Sequence, residues 1–226
     1  MNIGALIFPD MNQLDFTGPF EVLARLPGAR FHLLWKNKKP VRDIHGLMLT
    51  PTTTLVRCPP LDILIVPGGG GQEALMEDDA VISFIRQRAS QARVVLSVCT
   101  GALLCGAAGL LIGRPATTHW AALDLLALFG AIPSAQRVVS SGNMITCAGV
   151  TSGIDGALAA AAQMIGADRA RMIQLAMEYA PEPPFHSGSI SAAPAHLLAL
   201  ARRQFAPITA KRLKTARRIA IKLGVK

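Results

Sequence analysis

Residues 94–106, VVLSVCTGALLCG, decide the fold, because a buried strand turns there directly into a helix. The β-branched and aliphatic run at 94–98 is typical of a strand that is buried on both faces. An Ala/Leu-rich segment of helical composition follows it. Cys99 therefore lies at the sharp turn between the two elements. Its neighbours Ser97 and Gly101 fit the small-x-nucleophile-x-small layout of a nucleophile elbow.

The position of Cys99 favours a reactive thiol. The free N–H groups and the dipole at a helix N-terminus stabilise a thiolate, and a tight strand-to-helix turn directs the side chain out of the core. The alternative is a small buried hydrophobic residue, which is the usual state of a free cysteine. The order of elements in the rest of the chain bears on this choice.

Strands alternate with helices along most of the chain, which predicts a three-layer α/β sandwich of the flavodoxin-like type with a mainly parallel sheet. A short hairpin around a Ser-Gly-Asn turn is predicted within 138–146. The predicted strands are 3–8, 31–35, 62–66 and 94–98. The predicted helices are 20–26, 78–89, 121–129, 151–165 and 167–179, and then one helix, or two divided at Pro207.

Three groups of candidate residues directly follow strands, at the sheet edge where sites form in such folds. Asp15 lies on the loop before the first predicted helix, and its alternative role is a turn or capping aspartate. Gly68, Gly69 and Gly70 permit close backbone approach and offer N–H groups, so they predict an oxyanion or substrate pocket; a plain flexible loop is the alternative. Together with Cys99, these groups favour the nucleophile.

Further pocket neighbours are predicted more weakly. His119 could approach the site from the next strand end, although a hydrogen bond to the backbone is the first expectation. Cys147 ends a strand near Gly149 and could line the pocket, although packing is the simpler role. We expect no metal, because the sequence contains neither CxxC nor HExxH.

The net charge of +9 is concentrated at the C-terminal end. Nine of the 23 Lys and Arg residues follow Glu182, and no acidic residue does. We divide the chain into an α/β domain at 1–194 and a basic helical extension of that domain at 195–226. The extension could contact phosphates. The favoured alternative is a surface helix whose apolar residues pack against the domain.

The composition argues for a globular protein without a membrane span. Apolar residues make up 51% of the chain, yet no apolar run is long enough to cross a bilayer. The N-terminal residues MNIGALIFPD are typical of a first strand, not of a signal peptide. The four scattered cysteines do not form a disulfide framework. We therefore expect reduced thiols and a cytoplasmic location.

Several of these motifs together resemble a known family. PGGGG at 67–71 after DILIV, with SVCTGALLCGAAGLLIGRPATTHW at 97–120, resembles the ThiJ/PfpI-like superfamily, which is related to class I glutamine amidotransferases. Three segments are most similar to the isonitrile (isocyanide) hydratases: QLDFTGPFEVL at 13–23, SVCTGALLCGAAGLL at 97–111 and YAPEPPF at 179–185. The resemblance implies a homodimer that hydrates isonitriles to N-substituted formamides without a metal or organic cofactor.

The same resemblance implies roles for individual residues. Cys99 matches the nucleophile, Asp15 the acidic partner near the sulfur, and Thr100 the threonine after the nucleophile. Gly68 and Gly69 match backbone donors near the site. Protease-like members have His directly after the cysteine, so Thr100 argues against peptidase activity.

Two other functions stay open at this point. One is a redox-sensing or non-catalytic stress protein of the same fold, which also needs an activated thiol. The other is the amidase-like domain of AraC-type transcription regulators, which the elbow and the TTHW segment also resemble. The region after Pro194 is too short for the helix-turn-helix part of such regulators, so we do not expect nucleic acid as a partner.

Overall fold

The computed structural model describes residues 1–225, and its centre is a seven-stranded sheet. In chain order the strands are β1 (Asn2–Leu6), β2 (Arg30–Trp35), β3 (Val41–Arg42), β4 (Met48–Leu49), β5 (Thr53–Thr54), β6 (Ile63–Val66), β7 (Val94–Val98), β8 (Pro115–Ala116), β9 (Ile132–Pro133), β10 (Val138–Ser141) and β11 (Met144–Cys147). The helices are α1 (Leu14–Leu23), α2 (Gln72–Leu75), α3 (Asp79–Ala89), α4 (Gly101–Ala107), α5 (Ser152–Ile165), α6 (Ala167–Ala176) and α7 (Ala195–Leu223), with a 3₁₀ helix at Trp120–Phe129.

The sheet has the order β10-β11-β7-β6-β1-β2-β5 and is parallel except for the β10–β11 hairpin. In this order, the step from β1 to β2 leads toward the β5 edge of the sheet, whereas the step from β6 to β7 leads toward the β10 edge. Because such crossovers are right-handed, α1 and α3 lie on opposite faces. Every residue of β6 and β7 is buried, as expected for central strands covered on both sides. The predicted mainly parallel α/β sandwich is confirmed.

The first helix begins earlier than predicted. α1 starts at Leu14, so Asp15 belongs to its first turn and not to a preceding loop, and Pro19 lies inside the helix. Packing against α5 explains this position. A Cβ on Gly18 would lie 3.0 Å from Ile154, and a Cβ on Gly153 would lie 3.2 Å from the Pro19 ring across the interface. The small surface at Gly18 lets the two helices approach closely, which helps to offset the backbone hydrogen bond lost at Pro19.

Two other helices differ from the sequence prediction. The segment predicted as an α-helix at 121–129 is a 3₁₀ helix that ends at Gly130, whose φ of 72° terminates it. α6 ends at Ala176, three residues before the predicted end. Pro207 does not divide the last helix, because α7 continues through it. Pro207 has no N–H to donate to the carbonyl of Arg203, four residues earlier. Arg203 is exposed, so water can donate a hydrogen bond to this carbonyl instead.

The C-terminal helix α7 packs on the domain as the favoured alternative predicts. Ala216, Ile219 and Ala220 are buried, whereas most of the basic residues of the helix face solvent. The division of the chain at 194/195 stays a prediction, and Lys226 lies outside the described residues. None of the helices within 1–225 is long and apolar enough to cross a membrane.

Candidate active site

The elbow holds Cys99 in a backbone conformation that few side chains adopt. Its φ of 54° lies in the left-handed region, which costs a non-glycine residue roughly 1–3 kcal/mol. Both of its backbone groups are tied down: the N–H donates to the carbonyl of Cys147 at 3.1 Å, and the carbonyl accepts the Thr118 hydroxyl at 2.7 Å. These bonds hold the strained residue between β7 and α4.

Two glycines permit the close packing around the elbow. A Cβ on Gly68 would lie 2.5 Å from the Thr100 nitrogen, and one on Gly101 would lie 2.0 Å from the carbonyl oxygen of Val66. Any larger residue at either position would push the glycine loop away from the N-terminus of α4. The backbone after β6 and the backbone after β7 are therefore in direct contact.

Asp15 reaches this junction from the first turn of α1. It is fully buried, and its Oδ2 accepts the Gly68 N–H at 2.9 Å, while Oδ1 has no hydrogen-bond partner among residues 1–225. Burial raises the pKa of Asp15 from 3.8 to about 7, although the Gly68 N–H and the adjacent Cys99 thiol act in the opposite direction. The carboxyl is therefore partly protonated near neutral pH.

The ionisation of Cys99 depends on more than the elbow. Only 6% of the residue is exposed, and this burial raises the pKa of the thiol, as does the negative charge of Asp15. The N–H and hydroxyl of Thr100 and the positive charge of Arg212 lower it. The helix N-terminus thus acts in the predicted direction, but desolvation opposes it. Because two adjacent anions repel, a thiolate forms most readily when Asp15 carries a proton.

The glycine loop has a different role from the one predicted. The Gly68 N–H is bonded to Asp15, and the Gly69 N–H donates to the Thr100 hydroxyl at 3.2 Å, so neither is free to bind a substrate oxygen. Gly70 lines an open cavity of about 490 Å³ with Asp10 and other residues, and Cys99 is not part of that lining. The loop was predicted as an oxyanion pocket, but its first two N–H groups position catalytic candidates instead.

Of the three predicted pocket neighbours, His119 and Gly149 lie next to each other, whereas Cys147 points into the core. His119 is half-buried, its Nδ1 accepts the Ala121 N–H at 3.3 Å, and its ring lies 3.9 Å from the Cβ position of Gly149. Burial lowers the pKa of His119 to about 4, so the ring is neutral at pH 7. Cys147 points away, into the core against Gly156 of α5, and reaches the elbow only through its carbonyl.

Sequence reasoning missed Arg212, which was grouped with the exposed basic residues of the C-terminal helix. It is 5% exposed, and its Nη2 donates to the Gly69 carbonyl at 2.9 Å. The sequence does carry a signal for this burial. Arg212 lies four residues after Ile208 and four before Ala216, which places it on the apolar face of α7.

The arrangement joins a thiol, a carboxyl that can hold a proton near pH 7, and a hydroxyl. This set can perform nucleophilic attack with proton transfer to and from the reacting atom. No group of three or more His, Cys, Asp or Glu residues within 1–225 is arranged to bind a metal ion.

Comparisons with known proteins agree with this architecture. The model of the DJ-1/PfpI family matches residues 1–163. An isonitrile hydratase of Pseudomonas putida is 51% identical over 226 residues, which cover 100% of this chain and 99% of that protein. The crystal structure of a ThiJ/PfpI family protein from Pseudomonas syringae superposes with a TM-score of 0.92 at 40% identity, covering 95% of this chain and 90% of that one.

The regulator alternative is less well supported. The HTH-type transcriptional regulator GbdR of Pseudomonas aeruginosa is 28% identical over 78% of this chain, but the match covers only 49% of the regulator. The resemblance of the elbow segment to such regulators therefore reflects one domain that they share with this chain. The family match over most of the sheet and the full-length similarity lead to one conclusion: the chain belongs to the DJ-1/PfpI family.

Proposed function

We propose that this protein is an isonitrile hydratase, a hydro-lyase that converts an isonitrile and water into an N-substituted formamide. The observation that carries the proposal is the 51% identity to the Pseudomonas putida enzyme over the full chain. The buried pair of Cys99 and Asp15 supplies groups that suit this chemistry. The substrate partners are therefore a small isonitrile and water, and the proposed reaction uses no metal or organic cofactor.

In the first step, the Cys99 thiolate attacks the terminal carbon of the isonitrile while Asp15 is protonated. A carbon–sulfur bond forms, and the carbon takes up one proton to give a thioimidate, R–N=CH–S–Cys. The proton comes from Asp15, whose pKa of about 7 leaves a proton available at neutral pH. The Oδ1 atom suits this transfer, because it has no other hydrogen-bond partner among residues 1–225.

In the second step, water adds to the thioimidate carbon. Asp15, now a carboxylate, takes a proton from the water and passes it to the imine nitrogen, which gives the adduct R–NH–CH(OH)–S–Cys. The carbon–sulfur bond of this adduct then breaks, the hydroxyl proton returns to Asp15, Cys99 leaves as a thiolate, and the formamide R–NH–CHO is released. Thr100 is proposed to stabilise the sulfur through its N–H and hydroxyl, both of which favour the anionic form.

We also propose a homodimer in the cytoplasm. Large apolar side chains are exposed on the protomer, including Val56 at 93% and Phe185 at 77%, and a partner subunit could cover them. All four cysteines are free thiols, which a reducing compartment maintains. Light scattering after size-exclusion chromatography should give twice the mass of the chain, and a monomeric mass would contradict the dimer.

The hydratase activity can be tested with purified protein and a small panel of alkyl and aryl isonitriles. Formamide should accumulate in proportion to protein concentration, measured by liquid chromatography. Cys99→Ala should abolish it, with Cys105→Ala as the control because that thiol is buried on α4 away from the elbow. Wild-type turnover by Cys99→Ala would refute the covalent route, and no turnover of any isonitrile by the wild type would refute the function.

A further inference from the structure

We propose that Arg212 is a positioning residue of this site, whose guanidinium holds the Thr100 hydroxyl and the Gly69 carbonyl together beside the Cys99 elbow and places a buried positive charge there. The inference deepens the proposed hydratase function and rests on it for the reaction. It also assigns a purpose to α7, the helix that carries the basic C-terminal residues.

The guanidinium of Arg212 connects the glycine loop to the elbow. Its Nε donates to Gln72 Oε1 at 3.1 Å, and its Nη2 donates to the Gly69 carbonyl at 2.9 Å. The same Nη2 lies 3.5 Å from the Thr100 hydroxyl oxygen. The residue thus connects α7 to α2, to the loop after β6 and to Thr100, the residue that precedes α4. Such a fork of fixed donors holds several acceptors at once, which an ammonium group does less well.

These contacts hold the Thr100 hydroxyl between the glycine loop and the elbow. The hydroxyl oxygen accepts the Gly69 N–H at 3.2 Å and the Arg212 Nη2–H at 3.5 Å, and the hydroxyl donates to the Gly69 carbonyl at 3.5 Å. That carbonyl also accepts the shorter bond from Arg212, so Arg212, Gly69 and Thr100 form one connected network. Burial raises the pKa of the Cys99 thiol, whereas the charge of Arg212 and the Thr100 hydroxyl lower it. Loss of Arg212 would therefore remove both its charge and a contact that fixes the hydroxyl.

The charge of Arg212 is also unusually free to act on the sulfur. Among residues 1–225 it forms no ion pair with a carboxylate, although it is buried. Glu73, whose charge acts on Arg212, is bonded to Lys211 at 2.6 Å and to Thr215 at 2.6 Å. Burying a cation without a direct counter-ion costs free energy of folding, so we infer that the buried charge of Arg212 has a role in the site.

The charged and titratable groups around the sulfur come from several elements. Asp15 on α1 opposes the thiolate, whereas Arg212 on α7 favours it. Burial lowers the pKa of His119 to about 4, and the charge of Arg212 acts in the same direction, so the ring is neutral at pH 7. Burial lowers the pKa of Arg212, and the negative charges of Cys99 and Glu73 oppose that shift. Asp15 is the stronger of the two charges that act on Cys99, so loss of the guanidinium would remove the charge that opposes it.

The test measures the thiol itself and needs no isonitrile. Alkylation of Cys99 by iodoacetamide is followed against pH by peptide mass spectrometry in the wild type, Arg212→Met, Arg212→Lys and the control Arg218→Met. Arg218 lies on the same helix but pairs with Glu77 at the surface. We expect Arg212→Met to slow alkylation at pH 7 about tenfold, as for a rise of one pKa unit, and Arg218→Met to match the wild type.

Arg212→Lys keeps the charge but loses the fork, so we expect alkylation about threefold slower than in the wild type. A folded Arg212→Met protein with the pH profile of the wild type would overturn the proposal. If that variant does not fold, an Arg212→Lys profile identical to the wild type would overturn it instead. In the hydration assay, kcat should fall with little change in KM. An Arg212 effect on alkylation without any isonitrile turnover would reject the function and retain the inference.

Discussion

The buried carboxyl of Asp15 provides the sharpest test of the site, through the substitution Asp15→Asn. The amide is nearly the same size as the carboxyl, and its oxygen can still accept the Gly68 N–H that Oδ2 accepts in the wild type. What it loses is the exchangeable proton and the negative charge. Activity and stability should therefore change in opposite directions.

The expected loss of activity follows from the proton transfer assigned to Asp15. A positioned general acid or base contributes about 10²–10⁴ to the rate, so kcat should fall by that factor, or about 3–5 kcal/mol in activation free energy. Steady-state kinetics with the best isonitrile of the panel measures this loss. The KM should change little, because the backbone contact to Gly68 is preserved.

The expected gain in stability follows from the raised pKa. The unfolded carboxyl ionises near 3.8 and the folded one near 7, so stability is fully present below pH 3.8 and is lost as the pH rises through 7. At pH 8 the loss amounts to an upper limit of about 4 kcal/mol. Asp15→Asn has no carboxyl to ionise and so avoids this loss of stability. Urea unfolding should therefore show a more stable variant at pH 8 and no difference near pH 4.

A second buried aspartate supplies the control. Asp43 accepts the N–H groups of His45 and Leu47, and these bonds hold the pKa of its carboxyl below 3.8 although its burial acts to raise it. Asp43→Asn should therefore destabilise the protein at pH 8, the opposite sign to Asp15→Asn. Near wild-type turnover by Asp15→Asn, or no gain in its stability at pH 8, would refute the reasoning.

Three further predictions concern the elbow. Gly68→Ala should lower stability by about 1–3 kcal/mol and reduce kcat, because its Cβ would lie 2.5 Å from the Thr100 nitrogen; unfolding curves and kinetics test this. Thr118→Val should cost about 1–3 kcal/mol in urea unfolding, since it leaves the buried Cys99 carbonyl without its 2.7 Å donor; an unchanged midpoint would contradict it. Cys99→Gly should abolish turnover yet raise the thermal midpoint, because glycine adopts φ 54° without strain; a lower midpoint would contradict the strain.

Local patterns in the sequence were sufficient for the elbow. The apolar run of β7 and the helical composition of α4 identify a strand, a turn and a helix without reference to the rest of the chain. Strand alternation then places Asp15, Gly68 and Cys99 at one sheet edge, and the structure brings these three together. Helix boundaries were less predictable: the start of α1 depends on its packing against α5, which no local pattern records.

The assignment of donors could not be made from the sequence. Glycine N–H groups near a nucleophile suggest an oxyanion hole, but those of Gly68 and Gly69 are bonded to Asp15 and Thr100. Likewise, Arg212 is one of nine basic residues after Glu182, and only its partners distinguish it from the exposed ones. Which donor is free depends on distances between residues that are far apart in the chain.

The sequence by itself determined the α/β architecture, the elbow at Cys99 and the resemblance to a family, because hydrophobic period, turn chemistry and motif are properties of neighbouring residues. Only the tertiary structure decided the raised pKa of Asp15, the contacts of the Thr100 hydroxyl and the burial of Arg212. Those properties arise from desolvation and from charges brought within a few ångströms by different elements, and neither exists before the chain is packed.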